Sequence, residues 1–242
     1  VSDVVAEFLD RCGVNTAFGI ISVHNAPLME AIHRRNALRF IMVRGEMGGA
    51  HMADAYARVT GGLGVLITST GGGAASAASG LVEARFAGSP LLHITGQTST
   101  TMLDRGMAPV HDVPDQLGML RSVSKAAYRV PSAESALGML MHAAAEALTP
   151  PMGPVSVEIP IDIQSMTIAR PAALDQFALP IPPALTPAAS RSTRCAHCWA
   201  TALSSAAMMM RSRLMESCCD CAIGSGDECE RDEHVSYVDA LL

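Results

Sequence analysis

Two periodicities alternate along residues 1 to about 165. Helical patterning from Val4 to Arg11 stops at Gly13, a helix-ending residue. A β-type run over 16–20 follows. Residues 25–34 return to helical spacing, with Leu28, Met29 and Ile32 on one side. The pattern then predicts a strand over 38–43, a helix over 48–60 closed by Gly61-Gly62, and a fully apolar strand over 63–68. Such a strand fits a sheet covered on both faces. Gly71-Gly72-Gly73 opens a small-residue helix over 74–86, and a strand over 90–95 comes next. A loop over 96–113 breaks the rhythm. A short helix over 115–121, a strand over 126–130, a helix over 132–148 and a strand over 155–159 complete the series. Strands alternating with helices predict an α/β fold with a doubly wound parallel sheet.

The chain changes character after that. Residues 169–190 are rich in Pro and Ala, a linker composition. Cys12 is the single cysteine before residue 195. The other six lie between Cys195 and Cys229, close to the run Met208-Met209-Met210. The expected organisation is therefore a domain over 1–168, a linker over 169–190, and a Cys-rich tail over 191–242, poorly structured and of different origin. Cys195-x2-Cys198 with Cys218-Cys219-x-Cys221 resembles zinc ligation. No element pattern lies between the clusters, which favours an unstructured tail.

Composition narrows the function. Of 242 residues, 49% are hydrophobic and 17% charged, so a sizeable core is affordable in sequence terms. The formal charge of -6 argues against a nucleic-acid partner. No apolar run reaches the roughly 18 residues of a membrane span, and no basic-then-apolar leader opens the chain, so the expectation is a cytoplasmic protein.

The strongest candidate for chemistry is Glu46, at the carboxyl end of the strand over 38–43. Open α/β sheets bind ligands at that edge. Gly48, Gly49 and Ala50 would let another backbone or a flat ring approach. A carboxyl held there against an apolar wall can stay protonated or share a proton with a ring nitrogen. The alternative is an acid in a first helical turn that merely favours the helix dipole. Thr68 to Ala74 could expose backbone N–H groups to a phosphate, but it is neither a dinucleotide fingerprint nor a P-loop, and close approach of a flat ligand fits it equally. His24-Asn25 follows another strand end, where Asn25 reads first as a helix N-cap. The loop residues Asp104, Arg105, His111, Asp112 and Asp115 are either functional or solvated surface. His51 and His93 read as packed or hydrogen-bonded rather than catalytic.

Taken in order, Phe18-Gly19-Ile20, Arg44-Gly45-Glu46, Ala53 to Gly61, Thr70 to Ala74, Pro90 to Gln97, Ser124-Lys125 and Gly153 to Asp162 resemble a known pattern. It is that of the N-terminal pyrimidine-binding domain of thiamine-diphosphate enzymes of the acetolactate synthase, benzoylformate decarboxylase and pyruvate oxidase group. The resemblance implies thiamine diphosphate as cofactor and a 2-oxo acid as substrate. It makes Glu46 the catalytic acid, which hydrogen-bonds the pyrimidine nitrogen and favours the imino form that removes the thiazolium proton. It places the cofactor-binding positions at Ile21, Ser22, Glu46, Gly72 and Ser76, and no metal ligand among them.

Departures accompany the match. Ile21-Ser22 stands where the family has Pro-Gly, and Gly45 where His commonly precedes the acid. Gly72 replaces the Pro of Gly-Pro-Gly, and Ser76 the Asn beyond it. The family's second domain holds the diphosphate through Mg²⁺ with Gly-Asp-Gly and a downstream Asn, whereas Gly226-Asp227 here precedes Glu228. The expectation is a truncated member, inactive alone, that acts as a homo-oligomer or with a partner chain carrying the diphosphate domain. Two other readings stay open: a non-catalytic α/β binding module that dimerises through the same face, and a nucleotide-binding domain with a zinc-bound tail.

Overall fold

Strand β1 (Thr16–Gly19) and strand β2 (Arg39–Met42) run parallel, with Gly19 opposite Met42. They open the sheet of the computed structural model, which describes residues 1–107 and 109–179. Strands β3 (Gly64–Thr68), β4 (Leu91–Gln97), β5 (Ala126–Arg129) and β6 (Pro154–Pro160) complete it. The order is β2-β1-β3-β4-β6-β5, and every neighbouring pair is parallel. The doubly wound α/β expectation is therefore correct.

Strands β3, β4 and β6 are buried along their whole length, as in a sheet covered on both faces. Alternate side chains feed two cores. Val65, Ile67, Leu92, Ile94, Val155 and Val157 pack with helices α1 (Ser2–Arg11), α2 (Ala26–Arg35) and α7 (Ala136–Leu148). Phe18, Leu66, Leu91 and Ala127 pack on the other face with α3 (Glu46–Thr60), α4 (Gly72–Ser76), α5 (Ala78–Ala87) and α6 (Gln116–Val123). Short helices α8 (Ile161–Ser165) and α9 (Ala173–Gln176) follow β6.

Helices α3 and α5 are Ala- and Gly-rich for a steric reason. A Cβ on Gly80 would run into the Cβ of Ala50, so the two backbones meet at closest approach there. The Ala53 to Gly61 motif is structural. Asp54 is buried and paired with Arg58 one turn on, and Arg58 also donates to Ser89 Oγ at 3.1 Å. Tyr56 meets Phe18 edge-on, with centroids 5.8 Å apart.

Three details differ from the sequence pattern. The helix expected over 74–86 is two helices that meet at Ala77. Strand β4 continues to Gln97, since polar Gln97 and Thr95 are themselves buried. The short helix begins at Gln116, with Asp115 as its cap accepting from Gly118 N–H at 2.7 Å. The Pro/Ala-rich stretch begins inside the packed unit. Leu174 is fully buried, Phe177 packs on Phe8 at 5.1 Å, and Arg170 bonds Glu7 and Asp175. The tail over 191–242, with its zinc-like spacing and Gly226-Asp227-Glu228, lies outside the described residues.

Candidate functional site

The chain steps outward from β1 to β2, then returns to place β3 on the other side of β1. Such a reversal opens a crevice beyond the carboxyl ends of the strands. Three segments leave the sheet there: residues 20–25 after β1, 43–46 after β2 and 69–73 after β3. The order β2-β1-β3 puts the exit of β1, with Ile21 and Ser22, between the other two.

Glu46 is the first residue of α3, behind extended Gly45. It satisfies the dipole reading of an acid in a first turn, and it does more than that. Its Oε1 stands 2.6 Å from the position a Cβ on Gly73 would occupy. The carboxylate therefore reaches across to the segment after β3, into space that a side chain at Gly73 would contest. Gly72 beside it is exposed, with nothing within 4 Å of its own missing Cβ. Glu46 is half-buried rather than enclosed in an apolar wall. Among the described residues its carboxylate has no hydrogen-bond or ion-pair partner.

The loop after β3 is fixed by Gly71. Its φ of +57° is unfavourable for residues with a side chain, and a Cβ there would collide with the carbonyl oxygen of His111. The long loop thus lies against the glycines. It is pinned at other points too: Asp104 pairs with Arg129 at 2.8 Å, and Asp162 accepts from Thr100 N–H at 3.1 Å. Of the loop residues singled out by sequence, Asp104 and Asp115 have structural contacts. Arg105 is exposed.

Asn25 precedes α2, but its side chain does not cap the helix. Its Oδ1 accepts from Ser22 N–H at 2.8 Å, while Nδ2 donates to Ile20 O at 2.9 Å and Thr68 O at 3.1 Å. It ties the exit of β1 to the end of β3. His24 is buried and lies 5.9 Å from the His111 ring, centroid to centroid. Burial, with a smaller contribution from His111, lowers its pKa. His93 is hydrogen-bonded to Thr68 and Ser156 at 2.9 Å each, as expected, whereas His51 is exposed on α3 rather than packed.

The site is an open shelf. Among the described residues, cavities of about 300 and 560 Å³ lie elsewhere, against α1 and α2 and between α7 and α9. Ile21 is half exposed, and Ser76 is exposed at the end of α4. A carboxylate next to Gly73 makes the glycine loop a poor phosphate cradle, because like charges repel at that range. Helix α4, of five residues, adds little dipole to offset it. The arrangement suits a flat ring that offers a nitrogen or N–H to Glu46 and lies over glycine. Sequence reasoning gave no role to buried Gln97, Gln116 and Glu158; Gln97 and Glu158 stood only inside motif runs, and Gln116 looks like an ordinary surface residue.

The fold and site define a parallel α/β domain with a carboxylate reaching over glycine beside its topological switch point. Residues 1–119 match the family model of the thiamine pyrophosphate enzyme, N-terminal TPP binding domain, and this domain belongs to that family. Acetolactate synthase 2, chloroplastic, of Brassica napus is 31% identical over 179 residues, which cover 74% of this chain and 26% of the relative. The acetolactate synthase large subunit of Lactococcus lactis is 28% identical, covering 70% of this chain and 29% of its own. An X-ray structure from Mycobacterium smegmatis, provisionally described as a thiamin diphosphate-dependent enzyme, superposes with TM-score 0.62 at 28% identity. It covers 67% of this chain and 30% of its own. The chain thus spans about a quarter of the length of the acetolactate synthases it matches. Among the described residues no helix is long and apolar enough to cross a membrane.

Proposed function

We propose that this domain holds the aminopyrimidine of thiamine diphosphate in an enzyme that decarboxylates or joins 2-oxo acids. The observation that carries this reading is the Glu46 carboxylate, unpartnered among the described residues and reaching over Gly73. Glu46 holds or gives up the proton at the ring nitrogen. Gly72 and Gly73 supply a floor without side chains. Ile21, Ser22 and Ser76 border the ring. When bound, the cofactor supplies the electron sink for the carbanion left by decarboxylation.

The described residues contain no group of three His, Cys, Asp or Glu able to hold a metal. In this proposal Mg²⁺ and the diphosphate belong to a second domain, supplied by a partner chain or another copy of the protein. The isolated chain is then inactive. The second reading, a non-catalytic module that dimerises, is favoured by one feature. Helices α3 and α5 expose Met52, Val59, Val82 and Phe86. A cytoplasmic location is part of this proposal. The names of the plant relatives are chloroplastic, so cell fractionation is the check.

The test is a titration of the ¹⁵N-labelled chain with thiamine, followed by NMR. Shifts concentrated at Glu46, Gly72 and Gly73 in the wild type, and lost in Glu46→Gln, are the expected result. Shifts elsewhere, or equal shifts in the variant, would sink the assignment.

A further inference from the structure

Gln116 is 1% exposed at the start of α6, and its side-chain amide is fully engaged. Its Oε1 accepts from Thr70 Oγ1 at 2.8 Å and from Gly71 N–H. Its Nε2 donates to Glu158 Oε2 at 2.9 Å and to Gly96 O at 3.3 Å. A primary amide has two donor hydrogens and one acceptor oxygen. Gly71 N–H can only donate and the Glu158 carboxylate can only accept, so the amide has one possible orientation.

Glu158 sets that orientation. It is fully buried on β6, where an isolated carboxylate would be costly. Arg129 of β5 pairs with its Oε1, and Gln97 of β4 donates to Oε2 at 3.3 Å. Arg129 in turn bonds Asp104 of the long loop at 2.8 Å. These contacts hold the carboxylate in place and aim its Oε2 at Gln116. Thr95 Oγ1 also anchors this segment, donating to Ser69 O at 2.8 Å, but the acceptor for the Gly71 N–H is Gln116, and Gly71, with its positive φ, leads directly into the five-residue α4.

We infer that Gln116 is a positioning residue for the site: by holding Gly71 N–H, it sets where Gly72 and Gly73 lie relative to the Glu46 carboxylate, with Glu158 locking its amide. The identity of the ring received there rests on the proposed function. The hold on the loop does not.

Native-state hydrogen exchange of the chain tests this. In Gln116→Met, which keeps the volume and removes the amide, exchange at Gly71 should accelerate by about tenfold, as for loss of one hydrogen bond. The Leu92 and Ile94 amides of β4 should stay within about twofold, because local opening spares the sheet. Unchanged exchange at Gly71 would overturn the inference. So would equal acceleration at Gly71, Leu92 and Ile94, which would make Gln116 a residue of general stability. If Gln116→Met does not fold, Gln116→Asn, one methylene too short to reach both partners, is read by the same criteria. Thiamine titration of the wild type separates the two claims. No thiamine response with a freed Gly71 in the variant would leave the positioning role standing and remove the pyrimidine assignment.

Discussion

The Glu46 carboxylate and the backbone of Gly73 occupy space that a single methyl group would contest. Glu46 Oε1 lies 2.6 Å from the missing Cβ of Gly73, and the Ser69 Cβ lies 2.9 Å from it on another side. The acid leaves from β2 and the glycine from β3, with β1 between them in the sheet. A contact between residues 27 apart in sequence (46 and 73) thus closes over the exit of the middle strand.

Gly73→Ala turns this relationship into a measurement. Alanine is favoured over glycine inside a helix by roughly 1 kcal/mol, and Gly73 lies within α4. Any destabilisation therefore reports the contact with Glu46 and Ser69. We expect a folded variant whose Glu46 carboxylate is displaced and whose thiamine response weakens by about tenfold or more, as for a lost charged hydrogen bond. Thiamine shifts equal to wild type would show that the acid does not need this space.

The element pattern and the Glu46 edge were legible because both are local. The apolar run of β3, the stop at Gly61 and an acid directly after a strand are visible in short windows. The supports of the site were not. Gln116 reaches Gly71 across 45 residues, Glu158 reaches Gln116 across 42, and Asn25 reaches Thr68 across 43. Each is a polar residue that sequence alone assigns to the surface or to a helix cap. Their burial follows from strand order, which periodicity does not encode. The break at Ala77 was hidden for another reason. Both helices are built from the same small residues, so nothing in the pattern marks the join.

The exposed apolar face of α3 and α5 should drive self-association. Val59 is 87% exposed and Phe86 74%, and burying a side chain of either kind is worth roughly 1.5–3 kcal/mol. Sedimentation of the wild-type chain should show a dimer or larger species. Phe86→Glu should weaken it by about tenfold or more. A monomeric wild type at high concentration would refute this use of the face.

His93 should make the domain lose stability on mild acidification. Complete burial pushes its pKa down to about 3, against an ordinary value of 6.5. The unfolded chain therefore binds a proton between those values that the folded chain does not. Stability is full above the unfolded value and falls as pH drops below about 6.5, by at most about 1.4 kcal/mol per pH unit. His24, also lowered, acts in the same direction. Asp162 has a lowered pKa, and its contribution fades only as pH falls below its unfolded value near 3.8. The Val1 amino group is lowered too and acts in the same direction, so the His93 share of the urea-unfolding slope between pH 7 and 5 is read from a variant. We expect His93→Gln, though less stable at pH 7, to flatten the slope. A slope identical to wild type would exclude His93 as its source.

Turnover is the most demanding test of Glu46. With thiamine diphosphate, Mg²⁺ and pyruvate, the chain alone should give no decarboxylation or carboligation. Glu46 can engage the ring, but the described residues supply no metal cluster to hold the diphosphate, and an unheld cofactor is neither bound nor oriented. Addition of a separate chain carrying a diphosphate-binding domain should restore activity if the shelf over Gly72 and Gly73 meets it. In that mixture Glu46→Gln should lower kcat by about 10²–10⁴-fold, the range of a lost acid–base group, because an amide cannot exchange a proton with the ring nitrogen. The variant should remain folded, since Glu46 makes no contact on which the described core depends. Robust turnover by the isolated chain would refute the need for a second domain. A fully active Glu46→Gln mixture would refute the acid's role while leaving the fold and its family untouched.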